Sequence, residues 1–165
     1  MRLFRWLGWV LLALVTALVV VAGVARLHDG PLGPFPGGPL ERGELVTEPA
    51  VDWRFAADVR EIELQLVDPQ RSRTTWVLVR EDQLYVPCAW PTSFLKQWPQ
   101  QALRDGRVVL RIAGRRYERR AVRVTDPEVQ AELSALGAKK YGYERSEEPD
   151  LEGVWFFRMD PRASR

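Results

Sequence analysis

The sequence predicts a mostly β protein, a small antiparallel barrel with peripheral helices, preceded by one N-terminal transmembrane helix. Residues 6–25 run without a charge. From residue 51 onward, short β-branched and aromatic runs alternate with brief turns, giving at least six strands in about 115 residues. One later segment, opening at residue 125, has the periodicity and the ends of a helix. That order of elements suits a small barrel.

The uncharged stretch holds 17 apolar residues among 20, interrupted by Gly8, Thr16 and Gly23. As a helix rising ~1.5 Å per residue it is roughly 30 Å long, the thickness of a bilayer core. A cleaved signal peptide is the competing reading, with Gly23-Val24-Ala25 as the processing site, but signal cores usually run to only about 7–15 residues. Residues 1–27 are therefore read as a membrane anchor. Arg2 and Arg5 precede the stretch without an acid, whereas Arg26 and Arg42 beyond it are mixed with Asp29, Glu41 and Glu44. This bias puts the N-terminus in the cytoplasm and the folded part outside it, in the periplasm of a Gram-negative cell.

Residues 28–50 read as a tether. Four Gly and four Pro occur in the twelve positions 29–40, a composition that breaks regular elements. A glycine-rich phosphate loop is disfavoured, because the prolines have no N–H to offer an anion and no strand precedes them. Leu32, Phe35 and Leu40 give the spacer apolar groups with which to dock on the domain that follows, residues 51–165.

Within that domain, Ile62, Leu64 and Leu66 alternate with Glu61, Glu63 and Gln65, so the glutamates read as the solvent face of a strand rather than as catalysts. Asp68-Pro69 turns the chain. A second strand at 74–80 returns after Glu81-Asp82 through Leu84-Tyr85-Val86, and Pro87 ends this hairpin or places it at an edge. Residues 93–103 read as two short helical turns broken at Pro99. Strands at 107–112 and 116–124 flank Ala113-Gly114-Arg115 as a second hairpin. Thr125-Asp126-Pro127-Glu128 then opens a helix with Val129, Leu133 and Leu136 as its apolar stripe and Gly137 as its stop. Residues 153–159 form a last strand without alternation, which predicts packing on both faces.

Composition excludes several chemistries. One cysteine, Cys88, and one histidine, His28, allow no internal disulfide, no Cys/His zinc site and no histidine-based catalytic triad. Cys88 reads as a small buried hydrophobe. Past the anchor, 22 basic residues balance 22 acidic ones, which gives no reason to expect nucleic acid as a partner. Seven arginines between Arg107 and Arg123 meet a single acid, Glu118, a net +6. The acidic stretches 41–63 and 144–152 are their expected partners, within the chain or across a homodimer. Trp76 and Trp155 are assigned to the core. Trp90 and Trp98, beside Pro91 and Pro99, are the candidates to border a flat ligand. Lys96, just after Thr92 and Ser93, is a candidate phosphate donor.

The order of residues in RTTWVLVREDQLYV at 73–86, the helical segment with Lys96, LRDGRVVLRIAG at 103–114 and RRYERRAVRVTDPEVQAEL at 115–133 resembles the FMN-binding split barrels. That superfamily includes pyridoxamine 5'-phosphate oxidase and the deazaflavin-dependent nitroreductases. The resemblance covers about 60 residues. It departs at Gly106, where the family often has proline, and in the bulky stretch 93–100. It implies a split barrel, FMN or deazaflavin as cofactor, a small-molecule redox substrate and a homodimer. By the same resemblance, Arg73, Thr74 and Thr75 meet the cofactor phosphate, Trp76 and Val77 run along the ring, and Lys96 completes the phosphate site; Ser93 joins as a hydroxyl near Lys96, and Trp90 as a further border of the ring. The alternative implied is a cofactor-free ligand-binding or protein-interaction module on the same fold.

Overall fold

The computed structural model describes residues 2–93, 96–144 and 153–162, with side chains from residue 6 onward. The chain enters through α1 (Arg2–Leu27), whose apolar length is exposed and long enough to cross a membrane. The remainder forms one sheet from β1 (Glu44–Val46), β2 (Glu61–Leu66), β3 (Arg71–Trp76), β4 (Leu78–Arg80), β5 (Gln83–Ala89), β6 (Arg107–Ile112), β7 (Arg115–Arg123) and β8 (Val154–Pro161). Two further helices, α2 (Trp98–Arg104) and α3 (Pro127–Tyr141), and a 3-10 turn at Trp53–Ala56 connect the strands.

The strands are ordered β3-β2-β6-β7-β8-β5-β4, antiparallel throughout, and β1 adds to β7 in parallel. The two edges, β3 and β4, are halves of one interrupted strand. The sequence pattern reads 74–80 as continuous, but the structure breaks it at Val77. There the buried N–H donates to Tyr141 Oη at 2.9 Å and the carbonyl accepts from Lys140 Nζ at 2.8 Å, both at the end of α3. The break leaves β3 on β2 and turns β4 onto β5. The ring therefore closes through a single residue and stays open between β3 and the far end of β5. This is a split barrel, mostly β with peripheral helices, as expected.

Leu64, Leu66, Val86, Val108, Leu110, Trp155, Phe157 and Met159 fill the interior. A second cluster, Leu78, Tyr85, Phe156 and Leu133, lies under α3. β8 supplies both clusters from alternate residues, which explains a strand that is apolar at nearly every position.

One local expectation is narrowed and three are corrected. Of the two readings of Pro87, the edge holds: β5 continues to Ala89, and at Pro87 only β8 pairs with it. Val124 N–H donates to the Phe156 carbonyl at 2.9 Å, so Phe156 turns its backbone groups away from β5, and Pro87 opposite it has no ladder bond to lose. Pro99 does not break a helix but stands in the first turn of α2, where a missing N–H is harmless. Gly137 does not stop α3. A Cβ there would come within 2.6 Å of Tyr143 Oη, and the helix ends at Gly142 in the left-handed region, φ 72°. At the start of α3, Asp126 is the cap, its carboxylate accepting from the N–H groups of Glu128 and Val129. Trp76, assigned to the core, pairs with Glu61 on the outward face and is 43% exposed, whereas Trp155 is buried.

The Gly/Pro segment docks on the barrel. Gly37 and Ser72 exchange backbone hydrogen bonds of 2.9 and 3.2 Å, so the tether covers the free edge of β3 at Ser72. Ser72 Oγ donates to the Gly38 carbonyl at 2.6 Å, and Gln65 Oε1 accepts from Leu40 N–H at 2.6 Å. These bonds satisfy two buried polar side chains and bury Leu40. Phe35 is half-buried and Leu32 is exposed. The arginine-rich hairpin finds acids within the chain: Arg111 bridges Asp29, at 2.9 Å, and Glu63, while Arg115 meets Glu44 at 3.5 Å and Arg107 meets Asp105 at 2.5 Å. Glu63, expected in solvent, is thus half-buried. The acidic stretch 144–152 lies, beyond Glu144, outside the described residues.

Candidate functional site

The opening between β3 and β5 is a cleft of about 790 Å³, within the usual size range of small-molecule sites. β3 contributes Arg73, Thr74, Thr75 and Trp76, β5 and the residue after it contribute Pro87 to Trp90, and the following loop contributes Ser93 and Lys96. Trp98, Tyr143 and Val154 complete the walls. Seven of the eight residues selected from sequence therefore meet in one cleft. Val77 does not line it, because its backbone is held by Tyr141 and Lys140 and its side chain is in the core.

Strand geometry accounts for the polar side chains. Arg71, Arg73 and Thr75 pair with Leu66, Leu64 and Ile62, and directly paired residues share a face of a sheet. Arg73 is thereby turned inward, over the ring of Trp98 at 5.6 Å. Its Nε is buried without a hydrogen-bond partner. Burial, reinforced by the like charge of Arg71, lowers its pKa to about 10, which leaves it protonated at neutral pH. The second cation, Lys96, reaches the Ala89 carbonyl with Nζ at 2.8 Å and lies 5.8 Å from the Trp90 ring centre. The loop that carries it turns through Ser93 N–H to the Trp90 carbonyl (3.1 Å) and Lys96 N–H to the Ser93 carbonyl (3.0 Å). No carboxylate lines the cleft among the described residues.

Aromatic rings also line the cleft. Trp76 stacks on Tyr141 with centroids 4.1 Å apart and planes 8° from parallel, and Tyr143 lies beyond at 6.1 Å. Trp90 is 73% exposed and holds a positive φ of 50°, a conformation that costs a non-glycine residue energy and turns its ring outward from the end of β5. Cys88 forms part of the floor. Burial raises its thiol pKa to about 11 despite the nearby charges of Lys96 and Arg73, so it is a protonated, unreactive thiol at neutral pH. Tyr143 escaped sequence reasoning because its position depends on where α3 stops. The one available signal was the glycine between two tyrosines at 141–143.

An arginine with an unsatisfied buried Nε, neighbouring hydroxyls and a second cation in a cleft with aromatic walls fit a ligand that has an anionic head and a flat body. No protein-family model and no curated protein matches the chain. Among solved structures, the likeness of fold reaches a TM-score of 0.51 with the conserved hypothetical protein Rv2991 from Mycobacterium tuberculosis, at 18% identity over 74% of this chain and 86% of that one. An F420 reductase is similar at a TM-score of 0.47 and 15% identity, over 70% of this chain and 97% of that one. A candidate pyridoxamine 5'-phosphate oxidase from Listeria innocua stands at 0.49 and 13%, over 63% and 85%. The Mycobacterium tuberculosis likeness supports the fold and carries nothing about activity.

Proposed function

We propose that this chain is a membrane-tethered split barrel that binds a phosphate-bearing flavin or deazaflavin and passes electrons to a small molecule. The carrying observation is the cleft itself, which brings Arg73, Thr74, Thr75, Ser93 and Lys96 together with Trp76 and Trp90. The first set holds the phosphate, with charge-assisted donors from Arg73 and Lys96. The second set borders the ring. The bound group supplies hydride or electron transfer, and the chain orients it and keeps water from its apolar side. This assignment needs neither histidine nor a thiolate, and the protonated Cys88 offers none. The placement outside the cytoplasm rests on Arg2 and Arg5 before the apolar stretch. Homodimerisation rests on the resemblance.

The test is the full chain purified in neutral detergent, examined for a flavin-type absorbance band and titrated with FMN and with a deazaflavin while protein fluorescence is followed. Saturable one-to-one binding of either supports the reading. Failure to bind both would replace it with a cofactor-free interaction module, with the exposed Trp90 as its contact. A reporter that folds only in the cytoplasm, fused after Arg165, decides the side of the membrane, and activity there reverses the topology. Light scattering at twice the protomer mass supports the dimer, and a monomer at high concentration removes it.

A further inference from the structure

A second recess lies where α1 meets the barrel, and we propose that it holds the phosphate headgroup of an anionic phospholipid. It has a volume of about 310 Å³ and is lined by Ala22 and Arg26 of α1, Phe35 of the tether, Arg71 and Arg73 of β3 and Trp98 of α2. Three guanidinium groups converge there and no acid lines it. Some arginines elsewhere are paired, since Arg54, Arg80, Arg107, Arg111 and Arg158 each have a carboxylate within 2.9 Å, but pairing is not general. Among the described residues, Arg26, Arg71 and Arg73 form no such pair. Arg71 and Arg73 instead repel each other. A phosphate ester satisfies such a cluster with charge-assisted hydrogen bonds.

The lipid origin of that phosphate follows from position. Arg26 is the first charge after the twenty uncharged residues 6–25. Ala22, Leu18, Val15 and Leu11 lie below it on the same helical face, and the last three are exposed. A headgroup in the recess therefore continues into acyl chains along an apolar strip, at the level where a bilayer around α1 places its interface. Phe35 and Trp98 give the recess the apolar sides that suit the glycerol end of a lipid. This inference rests on the membrane-anchor part of the proposed function and not on flavin binding. Arg73 borders both the recess and the cleft, so its substitution cannot separate the two ligands.

The experiment is native mass spectrometry of the full chain in neutral detergent with added phosphatidylglycerol or phosphatidylcholine. We expect one retained phosphatidylglycerol per chain in preference to phosphatidylcholine. Arg71→Gln and Arg26→Gln should each lower that retention by about ten-fold, the effect of one lost charge-assisted bond. Lys139→Gln, which removes an equal charge from an exposed position on α3, should leave it unchanged. Arg71→Lys should restore part of it, which a merely misfolded Arg71→Gln would not predict. Equal retention by Arg71→Gln and Lys139→Gln overturns the proposal, as does equal retention of the two lipids by the wild type. Displacement of the lipid by an equal concentration of glycerol phosphate overturns the lipid origin and leaves a soluble phosphate ester as the ligand. Release of the chain from membranes by alkaline carbonate shows separately that the anchor reading has failed, and overturns the proposal with it.

Discussion

β2 and β3 are hydrogen-bonded neighbours of six residues each, yet their inward faces are opposites. Ile62, Leu64 and Leu66 point into the barrel from β2, and their direct partners Thr75, Arg73 and Arg71 point the same way from β3. The leucines of β2 are closed over by β6, whereas β3 has no strand on its other side beyond the one contact at Ser72. The same sheet face is thus a core on one strand and a site on the next. What separates them is the missing neighbour, which leaves room for a ligand that polar inward side chains can bind.

Leu64→Ala should have the largest effect, because it opens a cavity where the side chain is fully buried. A loss of about 2–5 kcal/mol in denaturant unfolding is expected. A loss below about 1 kcal/mol would mean that β2 is no more a core strand than β3. Cys88 tests whether the cleft floor is as dry as that core. Its thiol, raised to about 11 from 9.0 by burial, is neutral in the folded chain, and the fraction of reactive thiolate falls about 100-fold at any pH well below 9. Alkylation should therefore be at least that much slower than in the unfolded chain and rise about ten-fold per pH unit until the pH approaches 11. A rate equal to that of the unfolded chain would make the floor wet.

On the β3 side the expected effect is on binding. Arg73→Met should weaken flavin affinity by one to two decades, equivalent to roughly 1.5–3 kcal/mol, while leaving stability unchanged or raised, since a desolvated charge is replaced by an apolar chain. Lys96→Ala should weaken affinity similarly, whereas Lys139→Ala should not. Equal titration curves for the two lysine variants would remove Lys96 from the site. A smaller effect belongs to α3, which holds Val77 and hence the break between β3 and β4. Asp126→Ala, measured by thermal unfolding, should cost about 0.5–2 kcal/mol through the lost cap.

These contrasts also mark what was legible in the sequence. The alternation of β2 and the two-sided apolarity of β8 declared their faces directly, and Arg73, Thr75 and Lys96 were recognisable as polar groups around an apolar slot. The break at Val77 was not, because its cause is a tyrosine hydroxyl 64 residues away. Pro87 left two readings open for a related reason. Whether a proline ends a strand or only edges it depends on which way its partner's backbone points, and that is set by Val124, just past β7. Gly137 was misread because close packing against Tyr143 and helix termination call for the same residue. For Val77 and Pro87 the deciding partner was distant in sequence.

The bracing of the Gly/Pro segment also orders events in time. Asp29 and Arg111 are 82 residues apart, and at about 5–20 residues per second a ribosome takes roughly 4–16 s to make that interval. During those seconds α1 has already emerged while the strand edge at Ser72 and the guanidinium of Arg111 do not yet exist together. The Gly/Pro segment therefore waits for its full set of partners until Arg111 has been made, while β8 (Val154–Pro161) is still to come.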